Sequence, residues 1–531
     1  MKILKTICML MTLTMMASCF SDDTELGSGE VSKINIKDFA LSYDCTAFVH
    51  EHLQISPTIE SKYDSESLKY SWMLLDKNTG SITEDGDTIQ PIIIGKEREL
   101  DYDVAVAPGQ YQLRLIVEAP DGCGKIQHAT LSVKTSFSQG FYILKETADG
   151  NTELDMVSLD GKMANDLYTN LKGAPLGGAP LAMNITYGSY YINEETDKIE
   201  TDNFLNIFTK SGQMDISRSS DLKTVFDRSN ILFDAMDADE MPYNIICTNG
   251  ISANNILISS AGLRVIKSSI SSYGASPISG HYGLPKAEES GSRWIIADPM
   301  GYGSGAYWGE KDKTLYVFNH SNKVSKLAKS GSTELTANLQ GFECLHVGYN
   351  YMSKTATGTF ILEDTKNAQR YLYVLSMKGL SGVSLSKRLE IPSGSHFAKA
   401  TAYTTNGKTG RYVFGVENNK LWAVNFNADP LVDIEIPLQG IGEGETITLV
   451  TDQFMRHFEE DDFDNLIIGT QKGDEYTLYF YEISSATGGV PEAMPVRIIK
   501  GKGKVHSLRY LATNFTSYYW RYRYHSFPWT D

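Results

Sequence analysis

Past its first twenty residues the chain has no apolar run of the about 20 residues that a bilayer-crossing helix needs. It is short of positive charge: 48 Lys and Arg stand against 65 Asp and Glu, a net charge of -17. Such a surface repels phosphate backbones, which argues against nucleic acid as a partner, and it disfavours docking on anionic lipid headgroups. Cysteine is scarce, with six in 531 residues, and no pair has Cys-x-x-Cys spacing, so zinc is not indicated. A Gly-x-Ser-x-Gly nucleophile motif is missing. His50-Glu51-His52 is spaced too tightly for a helical pair of zinc ligands. No catalytic residue, metal or cofactor is assigned on these grounds.

What is present is β-forming sequence. Hydrophobic residues make up 41% and charged residues 21%, which fits a folded protein, and 30 Tyr with 45 Gly favour strands and turns. The length suits two or more domains. The stretch GRYVFGVENNKLWAVNFN from Gly410 reads as two apolar strands around the turn Glu417-Asn418-Asn419, a β-hairpin pattern. Loose copies start at Phe141, Phe204, Asn255, Tyr307, Gly358 and Asn465. An apolar residue in each second strand acts as a ruler: Leu154, Met214, Leu263, Tyr316, Tyr373, Trp422 and Tyr479. Repeats of roughly 40–50 residues, each with several strands, point to a β-propeller. The count is seven blades, although the long first interval leaves room for an eighth. The strand KVHSLRYL from Lys504 can complete the last blade or pair with Phe141–Leu144 to close the ring.

The N-terminus reads as a secretory signal over residues 1–18: Lys2 and Lys5, an apolar run, then Met16-Ala17-Ser18-Cys19. This resembles a bacterial lipobox, with Cys19 as the lipidated first mature residue. The acidic FSDDTE behind it resembles a surface-export signal, which implies an outer-membrane anchor facing the cell exterior. Residues 19–32 read as a tether. Residues 33–135 carry short alternating strands. In LKYSWMLL, Tyr70 and Trp72 share one face; in PGQYQLRLIV, Tyr111, Leu113, Leu115 and Val117 fall at period two. A buried Trp facing an alternating strand suits a β-sandwich. Cys45 and Cys123 lie in this domain and can pair in an oxidising compartment, although four scattered cysteines in so long a chain are more often buried thiols. The propeller is expected over 138–515, with an aromatic tail over 516–531.

PGQYQLRLIVEAPDGCG resembles the PKD-type Ig-like module, with Glu118 and Ala119 where an acid is usual. With Gly140-Phe141-Tyr142-Ile143-Leu144-Lys145-Glu146 after the link, the chain resembles the PKD-like lipoproteins of nutrient-uptake loci. That resemblance implies a lipidated PKD-like domain ahead of a β-propeller. It also implies an accessory role beside a TonB-dependent transporter and its SusD-type partner, in SusC/SusD-type uptake of an oligomeric nutrient such as a glycan. The alternatives are a propeller enzyme acting on extracellular polysaccharide, a glycoside hydrolase or lyase, and a structural docking subunit of the transporter complex.

Few residues suggest a ligand site. In GYGSGAYW from Gly301, the rings of Tyr302, Tyr307 and Trp308 can stack on a sugar, or the last two can fill space between blades. His281, His320, His346, His396 and His457 fall in different repeats and can converge near a propeller axis. The acidic groups Asp234, Asp237, Asp239, Glu240 and Glu459, Glu460, Asp461, Asp462, Asp464 lack the Gly of a calcium loop and read as solvated loops.

Overall fold

The computed structural model describes residues 33–511. Excepted are 48–51, 76–78, 81–87, 89, 105, 107–108, 136–138, 159–160, 194–195, 248–254, 272–273, 286–289, 298–303, 320–322, 328–338, 353–355, 378–381 and 456–462. The signal, the tether, Cys19, the link at 136–138 and the aromatic tail therefore lie outside the described residues. The chain splits into two compact units, Met1–Lys134 and Thr135–Asp531.

The first unit is a β-sandwich. Its larger sheet orders the strands Ser42–Ala47, Gly124–Thr135, Gly109–Glu118, Lys69–Leu75 and Ile92–Gly95. Two small ladders accompany it: Asn35–Lys37 with Thr58–Glu60, and His52–Ile55 with Leu100–Asp103. The period-two pattern sets the packing. Trp72 stands opposite Leu115, and both are fully buried with Leu113 and Val117. The indole Nε1 donates to the Glu97 carbonyl, which removes the cost of burying that group. Cys45 and Cys123 form no disulfide with each other; Cys45 is buried and Cys123 half-buried. Hydrophobic burial holds this unit without the bridge that the two cysteines suggest.

The second unit contains seven four-stranded antiparallel sheets. Blades 2 to 7 are each built from four consecutive strands, starting at Pro180, Pro242, Ile295, Phe342, Ala402 and Thr446. Blade 1 is composite. It takes Gly140–Glu146, Thr152–Val157 and Met163–Ala164 from the start of the unit, and its innermost strand is Lys504–Leu511. The first strand of each blade contacts the first strand of the next, and the series returns to Lys504–Leu511. That cycle makes the sheets a closed seven-bladed β-propeller. All seven ruler residues sit on the third strand from the centre. The long first interval holds no eighth blade; it holds the short helix Leu167–Lys172 and the long hairpin of Pro180–Asn193 with Lys198–Thr209.

Polar contacts join neighbouring inner strands. Asn184 Nδ2 donates to the Ile245 carbonyl, Asn350 Nδ2 to the Asn406 carbonyl, and the Asp452 amide to Thr404 Oγ1. His346 Nε2 lies 2.9 Å from Thr405 Oγ1. These side chains are almost wholly buried, so each bond also satisfies a group that would otherwise be stranded. Burial lowers the His346 pKa to about 3.

Three outcomes follow from this packing. Leu508, fully buried on the closing strand, should cost about 2–5 kcal/mol when truncated to Ala, read as a lower urea midpoint; exposed Ile126→Ala should move it little. Alkylation of the folded, unreduced protein should label Cys123 and spare Cys45. Denaturation without reductant should then release Cys45, and a disulfide-linked peptide containing both would overturn the assignment. The His346 contribution is complete above the unfolded value near 6.5 and drains away as pH falls toward 3. Between pH 7.5 and 5.0 the wild type should lose about 2 kcal/mol that His346→Gln does not lose. Parallel stability curves for the two proteins would contradict this.

Candidate ligand-binding face

Each blade sends two kinds of segment to one face of the ring: the turn between its second and third strands, and the connection from its outer strand to the next blade. Five inner strands carry a β-bulge near this face. Pairing with the second strand skips Leu181, Tyr243, Leu345, Thr448 and His506. Blade 4 has an equivalent. Ser292 Oγ donates to the Trp308 carbonyl and the Trp308 amide donates to the Trp294 carbonyl, which steps over Arg293. A bulged residue is freed from the ladder and its side chain is re-aimed. Six of the seven inner strands thus carry the same irregularity at one end, the inner rim of this face, where Leu181 is buried in the seam between blades 2 and 3 and Tyr243 and Leu345 pack against seam clusters.

His506 reports the electrostatics of that rim. Its pKa is lowered to about 3, first by burial, then by the positive charges of Arg293, Lys210, Arg509 and Lys504. Arg293 precedes blade 4, three steps around the ring from blade 1, so its influence acts across the central axis. Lys210 is held by its amide, which donates to the Ala179 carbonyl just ahead of the blade 2 inner strand. The side chains of Lys210 and Lys504 form no hydrogen bond or ion pair among the described residues. Arg293 lies over the Trp294 ring at 4.2 Å. His506 Nδ1 and Ser507 Oγ are shielded from solvent and have no hydrogen-bond partner.

Two open grooves lie on this face. One, of ≈ 470 Å³, lies between blades 7 and 1 and is lined by Lys145, Glu146, Asp166, Gln471, Asp474 and Lys504, among others. The second, of ≈ 420 Å³, lies between blades 1 and 2, with Lys172, Gln213, Asp215, Thr224, Asp227 and Ser229 in its lining. The helix Leu167–Lys172 separates them: its N-cap Asp166 lines the first, and Tyr168 and Lys172 line the second. Glu153 anchors this helix, accepting from the Tyr168 and Thr169 amides and from Thr169 Oγ1 at 2.6 Å. Beneath the grooves, Lys145 Nζ pairs with Asp155 at 2.7 Å and Asp166 at 2.8 Å. Tyr476 of blade 7 donates to Asp155 Oδ2, and Tyr168 and Lys172 of blade 1 donate to Asp215 of blade 2. The floors are therefore rigid, and the walls offer hydrogen-bonding groups.

The candidates read from the sequence lie elsewhere. Tyr307 and Trp308 are fully buried, Tyr307 stacked on Tyr316 at 5.2 Å and Trp308 in the apolar seam between blades 4 and 5. Neither ring has a face for a sugar, so the stacking platform is withdrawn for both. Gly305 keeps the two strands close, since a Cβ there would sit 2.3 Å from the Ile296 carbonyl oxygen. Tyr302 lies outside the described residues. Of the five histidines, His346 is on an inner strand but buried against Thr405, and His281 packs on Phe226 and Phe233 away from the centre. His396 stacks on Trp422, while His320 and His457 lie outside the described residues. Glu240 lies in a loop but is not solvated: it is buried and paired with Arg264 at 2.6 Å.

Asp464 likewise belongs to a buried carboxyl pair rather than a solvated loop. Asn406 Nδ2 donates to both Asp452 and Asp464, and the Gly407 and Thr409 amides complete the cluster. Burial pushes both carboxyls up, reinforced at Asp452 by the charge of Asp464. The pair staples the loop after the blade 6 inner strand to blade 7, and it has no surface from which to reach a substrate. The bulge positions were not legible in the sequence, because Leu181, Tyr243, Arg293, Leu345, Thr448 and His506 share a backbone position and, apart from the two leucines, no residue type.

Comparisons with known proteins agree with this architecture. Residues 19–180 match the PKD-like family. No curated protein matches the chain. Among solved structures, the chain is similar to a quinonprotein alcohol dehydrogenase-like protein from Bacteroides thetaiotaomicron. Identity is 13%, covering 91% of this chain and 100% of that one, with a TM-score of 0.39. A DUF4784 family protein from Bacteroides caccae is 8% identical over 76% of this chain and 95% of its own, with a TM-score of 0.28. Virginiamycin B lyase from Staphylococcus aureus is 11% identical over 62% and 92%, with a TM-score of 0.30. At these scores the propeller assignment rests on the sheet order and the closed cycle of inner strands. The chain is an all-β protein in which a PKD-like N-terminal region, a β-sandwich, precedes a seven-bladed β-propeller.

Proposed function

We propose that the protein is a lipid-anchored binding protein of the outer-membrane surface. Its propeller captures an oligomeric nutrient, a glycan, and presents it to a TonB-dependent transporter and a SusD-type partner. The observation that carries this reading is the pair of adjoining grooves on one rigid face, lined by hydrogen-bonding side chains. Sites for hydroxyl-rich ligands need many convergent polar groups, and two neighbouring clefts suit a chain of linked units better than a single small molecule. The match to the PKD-like family begins at residue 19, the position of the lipobox cysteine, which supports a mature chain anchored through Cys19.

Calorimetric titration against a panel of neutral and charged oligosaccharides should find a binder. Ala148→Trp fills the groove between blades 7 and 1 from an exposed turn and should weaken that binding at least about tenfold. Ala486→Trp, an exposed residue at the opposite end of blade 7, should not. Silence across the panel counts against the reading. Mass spectrometry of membrane-extracted protein should find a diacyl or triacyl Cys19, and Cys19→Ala should release the protein from the membrane.

A further inference from the structure

We infer that residues 518–524 pack as a strand on a projecting hairpin of blade 2, so that the chain beyond the closing strand latches the ring on the face opposite the grooves. The first support is an apolar face left uncovered among the described residues. The inner strand of blade 2, Pro180–Asn193, has 14 residues, whereas no other inner strand exceeds 10. The third strand of that blade, Met214–Arg218, stops opposite Phe204, so the hairpin from Tyr187 to Asn203 projects past it. Tyr191 faces blade 3 and is buried with Phe204 and Phe226. Side chains alternate along a strand, so Tyr190 and Ile192 turn the other way, toward blade 1. Ile199 stands opposite Ile192 in the ladder and shares that face. Ile192 is 39% exposed and Ile199 54%, an apolar pair that gains from any cover.

The second support is where the chain leaves the ring. Tyr187, at the root of the same face, packs against the seam cluster that holds Leu511, and its hydroxyl donates to the Tyr510 carbonyl at 3.5 Å. The closing strand therefore ends at the foot of the projecting face. From Tyr187 to Asn193 the hairpin rises about 20 Å, and residues 512–517, extended, reach about as far. Next comes Tyr518-Tyr519-Trp520-Arg521-Tyr522-Arg523-Tyr524. Read as a strand, it carries Tyr518, Trp520, Tyr522 and Tyr524 on one face and both arginines on the other. Such an aromatic face buries its large area against an apolar one. Charge agrees: the hairpin tip reads Glu194-Glu195-Thr196-Asp197, with Asp197 exposed, and Arg521 and Arg523 bring the opposite sign. The latch is independent of glycan capture, since it uses neither groove.

The test is trypsin cleavage of the folded full chain, with fragments ending at Arg521 and Arg523 followed by mass spectrometry. Cleavage of a docked segment waits on its release. Ile199→Glu, an exposed change, should speed cleavage at both sites at least about tenfold, whereas Val432→Glu, exposed on blade 6, should not. Deleting residues 512–531 should raise amide exchange over 189–201 and leave blades 4 to 7 as they were. Rapid cleavage in the wild type means that nothing is docked, and slow cleavage in both wild type and Ile199→Glu means docking elsewhere; either overturns the inference. So does exchange over 189–201 that is indifferent to the deletion. If exchange rises throughout the ring, the deletion has unfolded it and the cleavage comparison alone decides.

Discussion

The ring depends on one long-range ladder. Gly140–Glu146 pairs with Lys504–Leu511 along its whole length, joining segments that lie at opposite ends of the second unit. Without that strand, blade 1 has an open inner edge and two seams lose their packing. Phe141 shows how much is concentrated there: its ring meets Phe480 and Tyr510 at 5.0 Å and Phe463 at 5.9 Å, with the Arg497 guanidinium 5.8 Å away. Closing a loop of that size costs entropy only logarithmically in its length, so one well-packed strand can offset it. The cost falls on folding rate, because nothing in blade 1 is complete until the last strand arrives.

Five of the seams then add a polar tie to their apolar filling. Tyr476 reaches Asp155 across the closing seam, Tyr168 and Lys172 reach Asp215 across the next, and Lys313 reaches Glu343 between blades 4 and 5. Arg370 binds the Ala400 carbonyl and Tyr403 between blades 5 and 6, and Asn406 binds both acids of blade 7. Buried ties of this kind add little net stability, since desolvation offsets most of the attraction. They fix which face meets which. Among sheets that are all antiparallel and all apolar on their walls, that discrimination keeps seven similar blades in one order. The family match fits this picture awkwardly: it ends at residue 180, inside a ring whose first blade needs residue 504 onward. A fragment cut there would keep the sandwich and three strands with no inner partner.

The architecture was legible in the sequence because strand periodicity is a local property. The seven rulers all fell on equivalent third strands, since a polar turn between two apolar runs can make little other than a hairpin. The sandwich core followed from Trp72 and the alternation of Leu113, Leu115 and Val117. Side-chain destinations were another matter. Tyr307 and Trp308 look identical in sequence whether they line a cleft or fill a seam, and the tight strand spacing at Gly305 that buries them depends on a neighbouring strand. Cys45 and Cys123 share a domain, but a bond requires sulfur placement that composition does not supply. Asp464 sits in a run of acids, yet it is drawn inward by Asn406 from another blade.

The rim is the extreme case of this limit. Six blades repeat the same backbone device, an inner strand with one residue too many, and only blades 2 and 5 fill it with the same residue type, leucine. A repeat protein can vary such positions freely, because a bulged residue has left the ladder and its replacement costs no pairing. The seams decide where several of these side chains go: Leu181 is buried between blades 2 and 3, and Tyr243 and Leu345 pack against the neighbouring apolar clusters.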